Sequence, residues 1–197
     1  MKGKICPYSV LVITSLIIIN SCVTSALKSV WNDGTYGGGP FKKIVVIGVD
    51  RNSNVRRMLE DRFAGQLTAK GTPAISSYTL FSEDELRDRE MIVSKINELG
   101  IDSVLVTTVV DVKDVGRYDT YATHVNSGFY DYYVLCCEST VSEGYVVMIE
   151  TKIFDAKYDK LIWSALSETS LQRSREYTMQ SFIRTAVDDL HDKSLIP

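Results

Sequence analysis

Histidine is nearly absent from this chain: His124 and His191 are its only two in 197 residues. A metal centre needs several imidazole, thiolate or carboxylate ligands brought together, so neither a metal nor a cofactor is expected. His191 falls near the end of the last helical segment, where the negative helix terminus favours a cation; His124 reads as a loop residue. The nucleophile elbow G-x-S-x-G is missing too, and neither histidine has an obvious nucleophile to serve. Basic excess is lacking, since 22 Lys and Arg face 25 Asp and Glu for a net charge of −3. That excludes the cationic surface on which a nucleic-acid backbone is bound. The triple glycine at residues 37–39 has no G-x-G-x-x-G spacing and precedes a strand-like run, so it reads as linker and not as a phosphate cradle.

Long apolar runs are also scarce. The longest, from Val10 to Ile19, is roughly half of the ~20 residues that cross a bilayer core. Lys2 and Lys4 precede it, and Ser21 and Cys22 follow. This is the basic n-region, short h-region and small-residue junction of a secretory leader, and residues 1–21 are expected to be removed. The quartet Ile19-Asn20-Ser21-Cys22 resembles the lipobox of bacterial lipoproteins. That resemblance implies Cys22 as a lipidated mature N-terminus, held in the membrane by two or three acyl chains at about 0.8 kcal/mol per buried methylene. Val23 stands where lipoproteins retained in the inner membrane carry Asp, which implies the outer membrane, periplasmic face.

Cysteine is as sparse as histidine. Cys6 lies in the leader and Cys22 at its junction, leaving the adjacent Cys136 and Cys137. One neighbouring pair is no disulfide framework. It forms either a strained, reducible vicinal disulfide, a possible redox pair in an oxidising periplasm, or two thiols sent to opposite faces of a strand.

The rest of the composition, with 45% hydrophobic and 24% charged residues, fits one globular domain with a substantial core. Residues 22–41 are rich in Gly, Ser and Thr and read as a flexible tether, with Trp31 and Tyr36 as docking points. Such a coil of about 18 residues has an end-to-end distance of roughly 25 Å and a full reach of about 60 Å. From residue 42 to 197 the pattern predicts a domain. KKIVVIGVD is a buried strand. A helix follows on Val55, Met58, Leu59, Phe63 and Leu67, capped by Asn52 or Ser53 and stopped by Gly71. TPAISSYTLF is a second strand; Ser82 and Glu85 form a capping box for a helix carrying Leu86, Ile92, Val93, Ile96 and Leu99. IDSVLVTTVVDV is a third strand. GYVVMIETKIFD and KLIWSALSETSL form a hairpin about Asp155 to Asp159, and a last helix bears Met179, Phe182, Ile183, Ala186, Val187 and Leu190. The expected fold is α/β (α+β): a single mixed five-stranded sheet in β-α-β-α-β-β-β-α order, with helices packed on the sheet.

That order, the lipobox, RRMLEDRFAGQL, IDSVLVTTVV and above all IETKIFDAKYDKLIWSALSET resemble a group of uncharacterised bacterial outer-membrane lipoproteins. The resemblance implies a domain similar to the N-terminal domain of the envelope protein TolB and to curli-secretion lipoproteins, and it brings no catalytic residue with it.

Two surfaces remain. Residues 113–143 interrupt the strands with an excursion holding Tyr118, Tyr121, Phe129, Tyr130, Tyr132 and Tyr133. Tyrosine gives large contact area at low entropic cost, so this is either a partner or self-association surface or a cover for one face of the sheet. Asp50, Asp111, Asp114, Asp155 and Asp159 gather at strand ends, where they serve either as turn residues or as acid/base groups at carboxyl ends of parallel strands. The expected function is a non-enzymatic, membrane-anchored periplasmic lipoprotein that binds an envelope protein or its own copies. The alternatives are a regulator of a peptidoglycan synthase, similar to lipoprotein activators of penicillin-binding proteins, and an envelope hydrolase using strand-end carboxylates.

Overall fold

The computed structural model describes residues 25–113, 146–170 and 175–197. In chain order these form β1 (Ser25–Asn32), β2 (Ile44–Val49), α1 (Ser53–Ala69), β3 (Ala74–Ser76), α2 (Arg89–Glu98), β4 (Ser103–Lys113), β5 (Val146–Asp155), β6 (Lys160–Ser170) and α3 (Arg175–Asp192). Two single 3₁₀ turns, Ser77–Thr79 and Glu85–Arg87, separate β3 from α2. All described strands join one mixed sheet in the order β1-β6-β5-β4-β2-β3. β2 runs parallel to both β3 and β4, while β4, β5, β6 and β1 are linked antiparallel.

The mixed α/β architecture agrees with the sequence reading, but the sheet has six strands, not five, and β1 precedes the expected order. The additional strand lies in the stretch read as a flexible tether. Ser25 Oγ donates to Thr169 Oγ1 at 2.9 Å where β1 begins, and pairing with β6 continues to Asn32 opposite Trp163. Asp33 N–H then donates to Ile162 C=O. Further on, Phe41 is buried, donates its N–H to Leu195 C=O, and stacks on Tyr36 at 5.4 Å. The composition of this stretch signals flexibility, yet β6 supplies a ladder from Ser25 to Asn32 with a single bulge between Leu27 and Ser29, and strand formation follows the partner more than local propensity.

The sheet is covered on both faces. On one, α1 and α3 pack Leu59, Phe63, Leu67, Phe182, Ile183, Val187 and Leu190 against Ile44, Val46, Leu105, Ile153 and Trp163. Phe63 meets Phe182 edge to face at 5.4 Å, and Trp163 Nε1–H donates to Asp189 Oδ2 at 2.8 Å, giving a buried indole its polar partner. The six expected apolar positions of α3 are all buried. On the other face, α2 packs Ile92 and Ile96 with Phe81, Leu86 and Ile101 on Val45, Ile47, Val104, Val106 and Phe154.

Two elements differ from expectation in detail. The Ser82–Glu85 capping box forms, with Ser82 N–H donating to Glu85 Oε2 at 2.7 Å and Glu85 N–H to Ser82 Oγ at 3.3 Å. It opens only one 3₁₀ turn, because Asp88 caps a new helix by accepting from Glu90 and Met91 N–H. Leu86 stays in the core while Val93 is exposed. TPAISSYTLF contributes only Ala74–Ser76 to the sheet before turning away.

The end of β1 is fastened by charge. Hydrogen bonding from Lys160, and then from Thr35, lowers the Asp33 carboxyl from 3.8 to about 2. A depressed carboxyl stabilises the fold above its unfolded value and ceases to as pH falls through its folded value. The melting-temperature gap between wild type and Asp33→Asn is therefore expected to hold steady down to about pH 4 and to close toward pH 2; a gap independent of pH across that window contradicts the clamp.

Candidate functional site

β2 lies between β3 and β4, both parallel to it. Their carboxyl ends flank the switch point at which open α/β sheets often bind ligands. The central group there is Glu60, on α1 and fully buried. Its Oε1 accepts from Gly48 N–H at 3.0 Å and from Ser77 Oγ at 2.8 Å, and its Oε2 from Tyr78 N–H at 3.0 Å. Arg56, one turn earlier and also buried, places Nε 3.4 Å from Oε1 and its Nη1 3.5 Å from Glu83 Oε1. Burial raises the Glu60 pKa, opposed by the N–H and hydroxyl donors and by Arg56.

Gly48 makes this approach possible. A Cβ there would lie 3.3 Å from Arg56 Cγ, Arg56 O and Glu60 Cγ, tight on three sides. Asp61 continues the fastening, accepting from Ser76 Oγ at 2.7 Å and Tyr78 Oη at 2.8 Å, with the Arg57 guanidinium 5.4 Å from the centre of the Tyr78 ring. Glu60 and Asp61 thus hold residues 76–78 against α1, which is why the expected long strand ends at Ser76. A buried carboxyl with a raised pKa has the properties of a general acid. Here both its oxygens are engaged by backbone and hydroxyl donors, and the arrangement works as a structural fastening.

Among the sequence-predicted acids, Asp50 accepts from Asn52 N–H at 2.7 Å, and Asp155 accepts from Lys157 and Tyr158 N–H at 2.9 Å each. Both are turn carboxylates. Asp159 adopts φ 48° and pairs with Arg89 at 3.4 Å. Asp111 follows a bulge in β4; its side chain, like all of Asp114, lies outside the described residues. So do Cys22, Tyr118, Tyr121, Phe129, Tyr130, Tyr132, Tyr133, Cys136, Cys137 and His124. Lys113 and Val146 are cross-strand partners, so both ends of the Tyr-rich excursion leave the sheet at one point. Among the described residues no group of three or more His, Cys, Asp or Glu is placed to hold a metal, and no helix is long and apolar enough to cross a membrane.

Sequence reading missed two buried ion pairs. Arg56 and Glu60 stand at i, i+4 and continue through Phe63, Ala64 and Leu67, all buried; opposite charges on the apolar stripe were the available signal. Glu150 and Lys152, 3.2 Å apart on β5, are both buried. They pair across the ladder with Thr108 and Val106, on the α2 side of the sheet. Alternation puts them on the face opposite Ile149 and Ile153.

A groove of about 150 Å³ lies between α2 and the β5–β6 turn, floored by Ile96, Val104 and Phe154 and rimmed by Arg89, Lys157 and Asp159. Ligand pockets commonly run to ~300 Å³ or more, so it is too small for a drug-sized molecule.

No family model and no curated protein matches the chain. Among solved structures, the PelC dodecamer from Paraburkholderia phytofirmans aligns with a TM-score of 0.49 at 15% identity, over 88% of this chain and 99% of that one. A single-substitution variant of that dodecamer gives 0.47 at 13%, over 85% and 98%. A PDZ domain protein from Parabacteroides distasonis gives 0.44 at 14%, over 86% of this chain and 35% of that one. Likenesses this distant say nothing about the function of this chain.

Removing the Glu60 carboxylate takes the acceptor from Gly48 N–H, Ser77 Oγ and Tyr78 N–H and leaves Arg56 paired with Glu83 alone. Glu60→Ala is expected to cost about 3–5 kcal/mol in urea unfolding, and a loss below about 1 kcal/mol contradicts the fastening. Because burial raises its folded pKa, Glu60 lowers stability as pH rises from 4.5 through that folded value; Glu60→Gln is expected to remove this decline.

Proposed function

We propose that this chain is a non-enzymatic, lipid-anchored lipoprotein of the bacterial outer membrane, periplasmic face, whose α/β domain binds another envelope protein or its own copies. It fits the family of uncharacterised envelope lipoproteins with a TolB- or curli-secretion-like domain that its motifs resemble. The observation that carries the reading is the direct succession of anchor and sheet. Cys22, preceded by the basic and apolar leader, stands three residues before β1. β1 is an edge strand with Val30 and Trp31 exposed, and an edge strand offers backbone groups to an added strand. The Tyr-rich excursion, with Tyr118, Tyr121, Phe129, Tyr130, Tyr132 and Tyr133, supplies the recognition surface.

The same succession weighs against the synthase-regulator alternative. A domain joined to its anchor by two residues, Val23 and Thr24, has no long tether with which to reach an inner-membrane enzyme. The hydrolase alternative loses support because Asp50 is engaged in a local turn.

Labelled palmitate is expected to enter the wild type and not Cys22→Ala, which is released from the membrane fraction; an unlabelled wild type sinks the anchor. Replacing Tyr130, Tyr132 and Tyr133 together with Ser is expected to abolish the oligomers or the envelope partner recovered by crosslinking in intact cells. Unchanged crosslinks remove that surface.

A further inference from the structure

If Cys22 carries the anchor, the position of β1 fixes how the domain stands on the membrane. Three trans peptide steps separate Cys22 from Ser25 and span at most about 11 Å. At Ser25 the chain has no further freedom: the residue is buried, bonded to Thr169, and paired in the ladder. We propose that the sheet end at which β1 begins and β6 ends, marked by Ser25 opposite Thr169, is the end of the domain nearest the bilayer. The occupant facing it is the bilayer interface that holds the chain's own acyl groups. This inference rests on the lipoprotein reading.

The register carries the consequence across the molecule. Ser25 opposes Thr169, Thr169 opposes Val147, and Val147 opposes Val112, so one line across β1, β6, β5 and β4 marks the membrane-proximal end. The charges along β1 suit a zwitterionic or weakly anionic surface, since Lys28 is paired with Glu168 at 3.2 Å. β1 then runs away from the bilayer for about 24 Å at 3.4 Å per residue, and Asn32 is opposite Trp163. The β5–β6 turn lies beyond that, with Tyr158 69% exposed. It therefore stands on the far side of the domain together with the groove at α2. Lys113 and Val146, which bound the Tyr-rich excursion, are cross-strand partners next to Val112 and Val147, so the excursion leaves the sheet at the membrane-proximal end.

The experiment uses the full-length lipidated protein in liposomes of phosphatidylethanolamine and phosphatidylglycerol, with Cys136→Ser and Cys137→Ser as background. A fluorophore is attached at Ala26→Cys or Tyr158→Cys, both exposed positions, and spin-labelled headgroup lipid is the quencher. Lys28→Cys is a second proximal site in case Ala26→Cys disturbs the strand. Several-fold stronger quenching is expected at the proximal sites than at residue 158, and ten Gly-Ser residues inserted after Val23 are expected to bring the two ends level. Mass spectrometry of the same sample reads the lipid on Cys22. A lipidated protein whose residue 158 is quenched as strongly as residue 26 overturns the orientation alone; an unmodified Cys22 overturns the anchor and the orientation together.

Discussion

The pairing of β1 with β6 is the constraint on which the arrangement of this molecule rests. Ser25 to Asn32 lie more than 130 residues from their partners Trp163 to Thr169 in the chain, so this ladder joins the beginning of the described chain to the outer arm of the β5–β6 hairpin. Once closed, it turns a segment of tether-like composition into the sheet's edge and brings Asp33 to Lys160. A bulge between Leu27 and Ser29 and the paired Lys28 interrupt the outer edge near its start, devices that limit indiscriminate strand addition. Val30 and Trp31, further along, remain exposed.

The parallel half of the sheet depends on charge buried in the right geometry. Glu60 joins α1 to β2 through Gly48 and to the first 3₁₀ turn through Ser77 and Tyr78. Each of these donors would otherwise be buried without a partner, at a cost of about 1–3 kcal/mol apiece. The satisfied network explains why a carboxylate sits within an apolar helix face. Glu150 and Lys152 repeat the principle on β5, where two opposite charges at i, i+2 share the α2 side of the sheet. Such pairs contribute little net stability and impose a strong penalty on losing one member, so they favour one packing over its near alternatives.

Much of the fold was legible in the sequence because its signals are local. The apolar stripe of α3, the Asn52 cap and Gly71 stop of α1, and the β5–β6 hairpin follow from period and turn chemistry. The candidate site was less legible. Asp50 and Asp155 proved to be turn residues, as one of their two readings held, whereas Glu60 and Arg56 escaped notice because helical charges are ordinarily solvated. Their burial depends on Gly48 and Ser77, which only folding brings near.

By itself the sequence determined the helices, the antiparallel hairpin and the order of the elements from residue 44 onward, since each is encoded in the spacing of a few adjacent residues. Only the tertiary structure decided that Ser25 to Asn32 form a strand, that the capping box at Ser82 opens a single turn, and that Glu60, Glu150 and Lys152 are buried. Edge pairing and charge burial are properties of the partner that arrives from a distant part of the chain, and no local pattern contains that partner.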